Sequence, residues 1–235
     1  MALTTNLLAY WKMEWNSNDS AWSNNGSDTA ISYSSGNGKI SQGAWFNGST
    51  SRIQLPTNTI LNSKSQITIN TWITFNDHLT WSLRGIFWVQ WNYSGALNSQ
   101  YISTNGTDQT VAFWVAASSP SPPAMNIGTI TTGQWYMLTH TINLSTLVVE
   151  LFLDWVSKGT QSYSSIPAIS VNTVMDIWRV YDTSRIHNGN MDEFAIWNRV
   201  LTGSEITQLY NGWAGLTYPF IVNNTQAAFL LLMAL

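Results

Sequence analysis

Two adjacent carboxylates, Asp192 and Glu193, come nearest in type and spacing to a hydrolytic pair. Hydrolysis of a glycosidic bond needs two carboxyl groups roughly 5–10 Å apart, both facing the substrate. Neighbouring residues of a regular strand point to opposite faces, so these two carboxylates would not bracket one bond. We therefore expect no catalytic residues and predict that the chain is not an enzyme.

The histidines offer no second route to catalysis. His78, His140 and His187 lie far apart along the chain, and there is no cysteine to join them in a metal or nucleophile motif. His140 alternates with Leu138 and Ile142, which predicts a histidine inside the core rather than a ligand.

Tryptophan gives the strongest binding signal, because the chain has 14 residues of this type. An exposed indole ring can stack on a sugar ring while a neighbouring Asn or Asp bonds the hydroxyl groups. Trp72 faces away from the apolar side of its predicted strand. The alternative is that most of these rings fill a large core or sheet edges. Four tryptophans in loops or at strand ends are predicted to bind a ligand: Trp22, Trp81, Trp91 and Trp155.

Short apolar stretches separated by Gly, Asn, Ser and Asp indicate a sandwich of many β-strands. Ile67, Ile69 and Ile73 alternate with polar residues, which predicts one buried face for their strand. The predicted strands are residues 7–12, 43–46, 52–55, 66–75, 84–90, 110–116, 135–143, 147–154, 174–181 and 191–197.

One helix is predicted after the last strand, at residues 204–211. Thr202 and Glu205 have the spacing of a capping box, in which each residue bonds a backbone N–H of the other. Ile206, Leu209, Tyr210 and Trp213 then follow at helical spacing, which predicts one buried helix face.

The composition limits the classes of function. Charged residues are only 9% of the chain and the formal net charge is −3, so binding to nucleic-acid phosphates is not expected. No apolar run reaches the ~20 residues of a membrane span. The first residues lack a basic region and a cleavage site, so we expect no signal peptide. Ser, Thr and Asn, which make up nearly a third of the chain, supply a neutral polar surface instead.

Six segments follow one another along the chain: 8–13 (LAYWKM), 19–27 (DSAWSNNGS), 43–48 (GAWFNG), 67–73 (ITINTWI), 133–137 (GQWYM) and 189–201 (GNMDEFAIWNRVL). With the helix that follows, their order resembles the laminin G-like, concanavalin A-like lectin family over about residues 6–213. The resemblance implies an all-β fold, a two-sheet antiparallel jelly-roll sandwich with one short C-terminal helix. Binding to glycans, proteins or surfaces is the usual role, although a fold does not fix a ligand.

The same resemblance implies a calcium site. It pairs Asp192 with the loop that begins at Asp19, and backbone oxygens near Asn24 and Gly26 complete a set of hard oxygen ligands. Asp192 has the strand parity of Phe194, so we expect its carboxylate on the core side, where it must be paired, hydrogen-bonded or metal-bound. The alternative is that Asp19 and Asp192 accept hydrogen bonds from backbone amides without a metal.

The chain ends in an apolar tail. We predict a jelly-roll domain at residues 1–216 and a docking or assembly segment at 217–235, which is too short to span a bilayer. The tail would bind other subunits of a particle or of a homo-oligomer. The alternative is a final strap on the same domain. The assembly residues are Phe229, Leu230, Leu231, Leu232, Met233 and Leu235.

These features predict a non-catalytic, surface-exposed structural or adhesion protein with a glycan as a candidate ligand. A polar, charge-poor exterior without an export signal suits a particle such as a phage virion, which is assembled inside a cell and displayed outside it. The first rival hypothesis is a free carbohydrate-binding, lectin-like module. The second is a glycoside hydrolase.

Overall fold

The computed structural model describes residues 1–55, 60–76, 83–89, 98–105, 108–115, 125–164, 175–177 and 187–221. These residues form fifteen strands, the helix α1 (Gly203–Tyr210) and two short 3-10 turns. The strands are β1 (Leu7–Trp11), β2 (Ser27–Thr29), β3 (Ser32–Ser34), β4 (Gly43–Asn47), β5 (Arg52–Leu55), β6 (Gln66–Ile73), β7 (Leu83–Val89), β8 (Asn98–Asn105), β9 (Asp108–Val115), β10 (Met125–Gly128), β11 (Tyr136–Asn143), β12 (Val148–Leu153), β13 (Val156–Ser162), β14 (Met175–Ile177) and β15 (Asn188–Trp197).

The strands form two antiparallel sheets. Sheet A has the order β13-β12-β11-β6-β15-β4-β3, with β1 also paired to β15. Sheet B has the order β10-β9-β8-β7-β14-β5-β2. This arrangement confirms the predicted all-β, two-sheet antiparallel sandwich with one short C-terminal helix.

One core lies between the two sheets. Ile67, Ile69 and Ile73 of β6 contribute to it from sheet A, and Ile53 and Ile177 contribute from sheet B. The alternation predicted for β6 is therefore confirmed, because its isoleucines share one buried face.

His140 is buried in sheet A, as its alternation with apolar residues predicts. Burial lowers the pKa of its imidazole to about 3, so the ring is neutral at physiological pH.

A second core covers the other face of sheet A, which we call the outer face. Trp72 of β6, Met137 of β11 and Trp197 of β15 lie there beneath the C-terminal segment that carries Leu209 and Phe220. Trp72 does face away from the inter-sheet core, but it is only 1% exposed because that segment packs on it.

Helix α1 begins with the predicted capping box. The Thr202 hydroxyl accepts a hydrogen bond from the N–H of Glu205, and Glu205 Oε2 accepts one from the N–H of Thr202 at 2.9 Å. Arg199 Nη1 lies 2.7 Å from the same carboxylate oxygen in a buried ion pair. These contacts fix the helix to the end of β15. In the described part of the chain, no helix has the length and apolar composition to cross a membrane.

Candidate functional site

Strand β15 contains a β-bulge at the two carboxylates singled out above. Asp192 lies opposite Trp72 of β6, whereas Ala195, three residues on, lies opposite Asn70, only two residues away. The extra residue is accommodated by Glu193, whose φ of 54° is in the left-handed region. A bulge of this kind interrupts the alternation of side chains along a strand.

The bulge corrects two predictions about the acidic pair. Asp192 was expected to point into the core with Phe194, but it lies on the outer face beside Trp72, while Met191 and Phe194 line the inter-sheet core. Glu193 was expected on the opposite face from Asp192. Its Oε2 instead accepts a hydrogen bond from the hydroxyl of Tyr10, an outer-face residue, so both carboxylates lie on one face.

Both carboxylates are buried and bonded to the protein itself. Asp192 is 0% exposed, and its Oδ2 accepts the N–H groups of Lys39 at 2.9 Å and Ile40 at 2.7 Å. Glu193 is 1% exposed beside Tyr10. Burial, with the charge of Glu193 as a lesser cause, raises the pKa of Asp192, and burial raises the pKa of Glu193 to about 8. In this arrangement neither group is exposed to solvent.

A row of side chains crosses the outer face of sheet A at the level of Asp192. Trp72 pairs with Asp192 on one side and with Met137 on the other. Asp154, in the turn after β12, extends the row because its Oδ1 accepts the N–H of Met137 at 3.0 Å. The N–H of Asp154 in turn donates to the Met137 carbonyl at 2.6 Å. Four neighbouring strands, β12, β11, β6 and β15, therefore bring Asp154, Trp72 and Asp192 into one row.

Three aromatic rings stand above this row, and we call Trp155, Tyr210 and Trp213 the aromatic platform. The ring centroids of Trp155 and Tyr210 are 4.3 Å apart, and those of Tyr210 and Trp213 are 6.0 Å apart. Tyr210 stacks on Trp72 at 5.5 Å. Trp155 is 45% exposed and Trp213 39% exposed, so the outer rings present a surface to solvent.

Lys39 lies at the edge of the aromatic platform. Its Nζ is 3.9 Å from the ring centre of Trp213 and 4.6 Å from that of Trp72, both within cation–π range. Burial lowers the pKa of the Lys39 ammonium, and the charges of Asp154 and Asp192 oppose that shift. Burial also raises the pKa of Asp154, against the opposing hydrogen bond from Met137. Lys39 and Asp154, both half-buried, thus lie at the platform as a cation and a carboxylate.

Asp19, a predicted calcium ligand, organises its own loop. Its Oδ1 accepts the N–H groups of Tyr10, Ala21 and Trp22 at 3.0–3.1 Å. Its Oδ2 accepts the backbone N–H and the side-chain amide of Asn24 at 3.1 and 2.7 Å. These contacts are the backbone-capping role that was the alternative to a metal site.

The other predicted calcium ligands lie in the same loop or on β15. The carbonyl of Asn24 accepts the Nε1–H of Trp11, and the N–H of Gly26 donates to the Ser17 carbonyl. Asp192 bonds the segment at Lys39 instead. Among the described residues, no three acidic or histidine side chains are grouped so as to hold a metal ion. Calcium binding stays a prediction of the family resemblance.

The structure separates the predicted ligand-binding tryptophans. Trp155 belongs to the aromatic platform, whereas Trp22 lies on the Asp19 loop, 67% exposed, and its Nε1 donates to the Leu7 carbonyl. Trp81, Trp91 and the tail residues Phe229, Leu230, Leu231, Leu232, Met233 and Leu235 lie outside the described residues. Their predicted roles stay predictions.

Sequence reasoning missed Tyr210, Trp213, Lys39 and Asp154 as site residues. Tyr210 and Trp213 were both assigned to the buried face of the helix. Tyr210 is indeed mostly buried, whereas Trp213 lies beyond the end of α1 and is 39% exposed. The signal that could have indicated a site is the third aromatic ring, Trp213, three residues beyond Tyr210 at the end of the helix. No such signal exists for Lys39, which reaches the platform through a hydrogen bond to distant Asp192.

A lectin-like β-sandwich with exposed aromatic rings is the class of protein that this fold and site define. The family model described as the Concanavalin A-like lectin/glucanases superfamily matches residues 47–207, and the chain belongs to that family. The match confirms the resemblance found in the sequence. A search of curated proteins found no match to the chain.

Several solved structures share the fold. Domain 4 of AbnA, an extracellular arabinanase from Geobacillus stearothermophilus solved with arabinotriose, has a TM-score of 0.66 at 23% identity, covering 86% of this chain and 97% of that one. The binding domain of Paraclostridial Mosquitocidal Protein 1 has a TM-score of 0.68 at 16% identity, covering 89% of this chain and 52% of that one.

A sialidase from Trypanosoma rangeli has a TM-score of 0.66 at 14% identity, covering 90% of this chain and 34% of that one. The chain therefore spans about half of the toxin binding domain and about a third of the sialidase. The similar structures include both enzymes and binding domains, so the shared fold does not decide between catalysis and binding.

Proposed function

We propose that the chain is a non-catalytic, surface-exposed adhesion protein that binds carbohydrate on its aromatic platform. The observation that carries this proposal is the pair of exposed rings, Trp155 and Trp213, held on either side of Tyr210. Rings of this kind stack on the apolar face of a sugar, and polar groups at their edge bond its hydroxyls. Asp154 and Lys39 are such groups.

The rings are held in place before any ligand binds, which favours affinity because little side-chain entropy is lost on binding. Tyr210 belongs to the capped helix α1 and stacks on buried Trp72. Trp213 packs edge-on against the same Trp72 at 5.6 Å. A platform built on a helix and a sheet suits a binding site better than rings on an unsupported loop.

Proteins of similar fold support a carbohydrate ligand. The arabinanase domain was solved with arabinotriose bound. A structure of botulinum neurotoxin type C has a TM-score of 0.65 at 14% identity, covering 88% of this chain and 51% of that one, and cell entry of that toxin depends on interaction with two ganglioside molecules. Both statements concern those proteins, and they motivate the choice of saccharides as probes for this one.

The second candidate function is glycoside hydrolysis, and the observation that favours it is the position of Asp192 and Glu193 on one face. We prefer the non-catalytic function because both carboxylates are buried beneath the C-terminal segment and hydrogen-bonded to the protein. Incubation with arabinan, xylan and β-glucan, followed by a reducing-end assay, tests this choice. Release of sugar that is lost in Glu193→Gln would establish the hydrolase instead.

The proposal includes display on a particle such as a phage virion. The polar, charge-poor composition and the apolar tail support this, the tail being the segment that would bind other subunits. The rival is a free lectin-like module with the same binding site. Sedimentation of the native complex from its source, with mass spectrometry of the copurifying proteins, separates the two. Recovery of the chain alone would favour the free module.

A glycan array tests carbohydrate binding directly, with the full chain and single variants. We expect Trp155→Ala and Trp213→Ala each to weaken binding about fivefold or more, as loss of an aromatic contact worth about 1 kcal/mol predicts. Trp22→Ala is the matched control, since Trp22 is more exposed but lies on another loop. Loss of binding in Trp22→Ala alone would place the site at the Asp19 loop. Absence of binding by the parent chain would refute the proposal.

A further inference from the structure

Two side chains of opposite charge, Lys39 and Asp154, lie at the aromatic platform without forming an ion pair. In the described part of the chain, the ion pairs within 4.0 Å are those of Glu205 with Arg199 and with the N-terminus. Lys39 and Asp154 are nonetheless close enough for each charge to oppose the shift that burial causes in the pKa of the other. The two groups thus lie at the aromatic platform, Lys39 against Trp213 and Asp154 next to Trp155.

The ammonium group of Lys39 can donate hydrogen bonds to a ligand. Its ammonium carries three N–H groups, and its described contacts are with the rings of Trp72 and Trp213 rather than with an oxygen acceptor. The backbone N–H of Lys39 donates to Asp192, so the position of the residue is fixed although its ammonium is not neutralised. A half-buried ammonium held in this way is stabilised by an acceptor oxygen from a ligand.

The carboxylate of Asp154 can accept a hydrogen bond from a ligand. Its Oδ1 accepts the N–H of Met137, which fixes the carboxylate against β11. Its Oδ2 has no described donor, and the side chain is half-buried beside exposed Trp155. A hydroxyl group that donates to this oxygen would satisfy it without changing the turn.

A ligand that satisfies both groups must offer an acceptor to Lys39 and a donor to Asp154. A carboxylate or sulfate on the ligand would be attracted by Lys39 but repelled by Asp154, and an amine would meet the reverse. Hydroxyl groups both donate and accept, so one of them can donate to Asp154 while its neighbour accepts from Lys39. A site that leaves such polar groups unpaired rejects the wrong ligand strongly.

Resting on the proposed function, we propose that Lys39 and Asp154 together select an uncharged sugar unit with two adjacent free hydroxyl groups, its ring stacked on the aromatic platform. The rings of the platform stack on the sugar, and these two residues select which sugar binds.

The test compares affinities by titration calorimetry for the neutral oligosaccharide with the strongest signal on the array. Lys39→Met keeps the apolar stem against Trp213 but removes the donors. Asp154→Asn keeps one oxygen for Met137 and tolerates the φ of 59° found at this turn. We expect each variant to bind about 10-fold more weakly or worse, as loss of a charged hydrogen bond predicts. Lys64→Met, before β6, and Glu150→Gln, on β12, are matched controls expected to bind like the parent.

A second arm changes the ligand instead of the protein. We expect the same oligosaccharide with its hydroxyls O-methylated to bind the parent chain as weakly as the variants, and its uronic-acid counterpart to bind more weakly than the neutral sugar. Unchanged affinity in both Lys39→Met and Asp154→Asn, or tighter binding of the acidic sugar, would overturn the inference. If Trp155→Ala still weakens binding in that case, the proposed function stands without the inference. A parent chain that binds no saccharide overturns both.

Discussion

Asp192 of β15 lies directly opposite Trp72 of β6, and Lys39 contacts both residues. The carboxylate of Asp192 accepts the N–H of Lys39, and the Nζ of Lys39 lies over the ring of Trp72. A residue buried in the outer-face core therefore fixes the position of a residue at the exposed platform. The platform and the bulge form one structural unit.

The first prediction concerns Asp192→Ala. This change leaves the N–H groups of Lys39 and Ile40 without their acceptor, and each unsatisfied buried donor costs about 1–3 kcal/mol. We expect the free energy of unfolding to fall by roughly 2–4 kcal/mol in urea titrations. Glu150→Ala, which removes a more exposed carboxylate, is expected to change it by less than about 0.5 kcal/mol. Equal free energies of unfolding in the two variants would show that the hydrogen bonds of Asp192 do not stabilise the fold.

The second prediction is a pH dependence carried by Glu193. Burial raises the pKa of its carboxyl from 4.5 to about 8, so the folded state keeps a proton that the unfolded state releases. Its contribution to stability is therefore complete below the unfolded pKa and is lost as the pH rises towards about 8. Between about pH 5 and pH 8 we expect the melting temperature to fall roughly 5 °C further in the parent chain than in Glu193→Gln. Parallel profiles would show that Glu193 is already ionised when folded.

The third prediction concerns the turn after α1. Gly215 has a φ of 77°, and a Cβ there would lie 2.7 Å from Ile40 Cδ1 and 3.2 Å from Trp72 Nε1. Left-handed backbone costs roughly 1–2 kcal/mol for an alanine, so we expect Gly215→Ala to lower the melting temperature by several degrees and to weaken platform binding. Gly203→Ala is the control, because no atom lies within 4 Å of a Cβ at that position. An unchanged melting temperature in Gly215→Ala would contradict the tight packing of this turn against Ile40 and Trp72.

The fourth prediction concerns calcium. A bound ion at 100 times its dissociation constant adds about 2.7 kcal/mol, which would raise the melting temperature by several degrees. The two oxygens of Asp19 already accept five N–H bonds, so we expect the melts in chelator and in millimolar calcium to coincide. A higher melting temperature in calcium, lost in Asp19→Asn and Asp192→Asn, would establish the metal site that the resemblance implies.

The fifth prediction separates folding from assembly. Phe220 packs against Tyr10 and Trp197 with ring centroids 5.2 and 6.2 Å apart. A chain that ends at Ile221 is therefore expected to melt like the full chain but to lose its association with other subunits, measured by sedimentation. A chain that ends at Gly215 also loses buried Leu216 and Phe220, each worth about 1.5–3 kcal/mol, and should be clearly less stable.

Periodicity and local hydrogen-bonding patterns account for the parts of the fold that the sequence predicted. The alternating isoleucines of β6 and the capping box of Thr202 and Glu205 depend only on neighbouring residues, so both were predictable. Strand β13 (Val156–Ser162) was missed because it is largely exposed and has no apolar alternation to detect. The bulge at Glu193 was missed because it is defined by the pairing of β15 with β6 rather than by residue type.

The sequence predicted a residue of the candidate site only where that residue could be recognised from its own type and position. Trp155 follows a predicted strand and could be recognised as an exposed ring, whereas Tyr210 matched a buried helix face equally well. The position of Lys39 depends on Asp192, 153 residues further along the chain, and no local pattern reports such a contact. Contacts of this kind arise from the folded topology.

The hydrogen bonds of Asp19 also affect the edge of sheet A. Strand β1 pairs with β15 on one side, and on its other side Tyr10 donates its N–H to Asp19 and accepts the N–H of Ser20. These bonds occupy the backbone groups that a strand from a second molecule would need for pairing. Asp19 therefore protects this edge at Tyr10, and we expect Asp19→Ala, which leaves that N–H without its acceptor, to self-associate more readily than the parent chain.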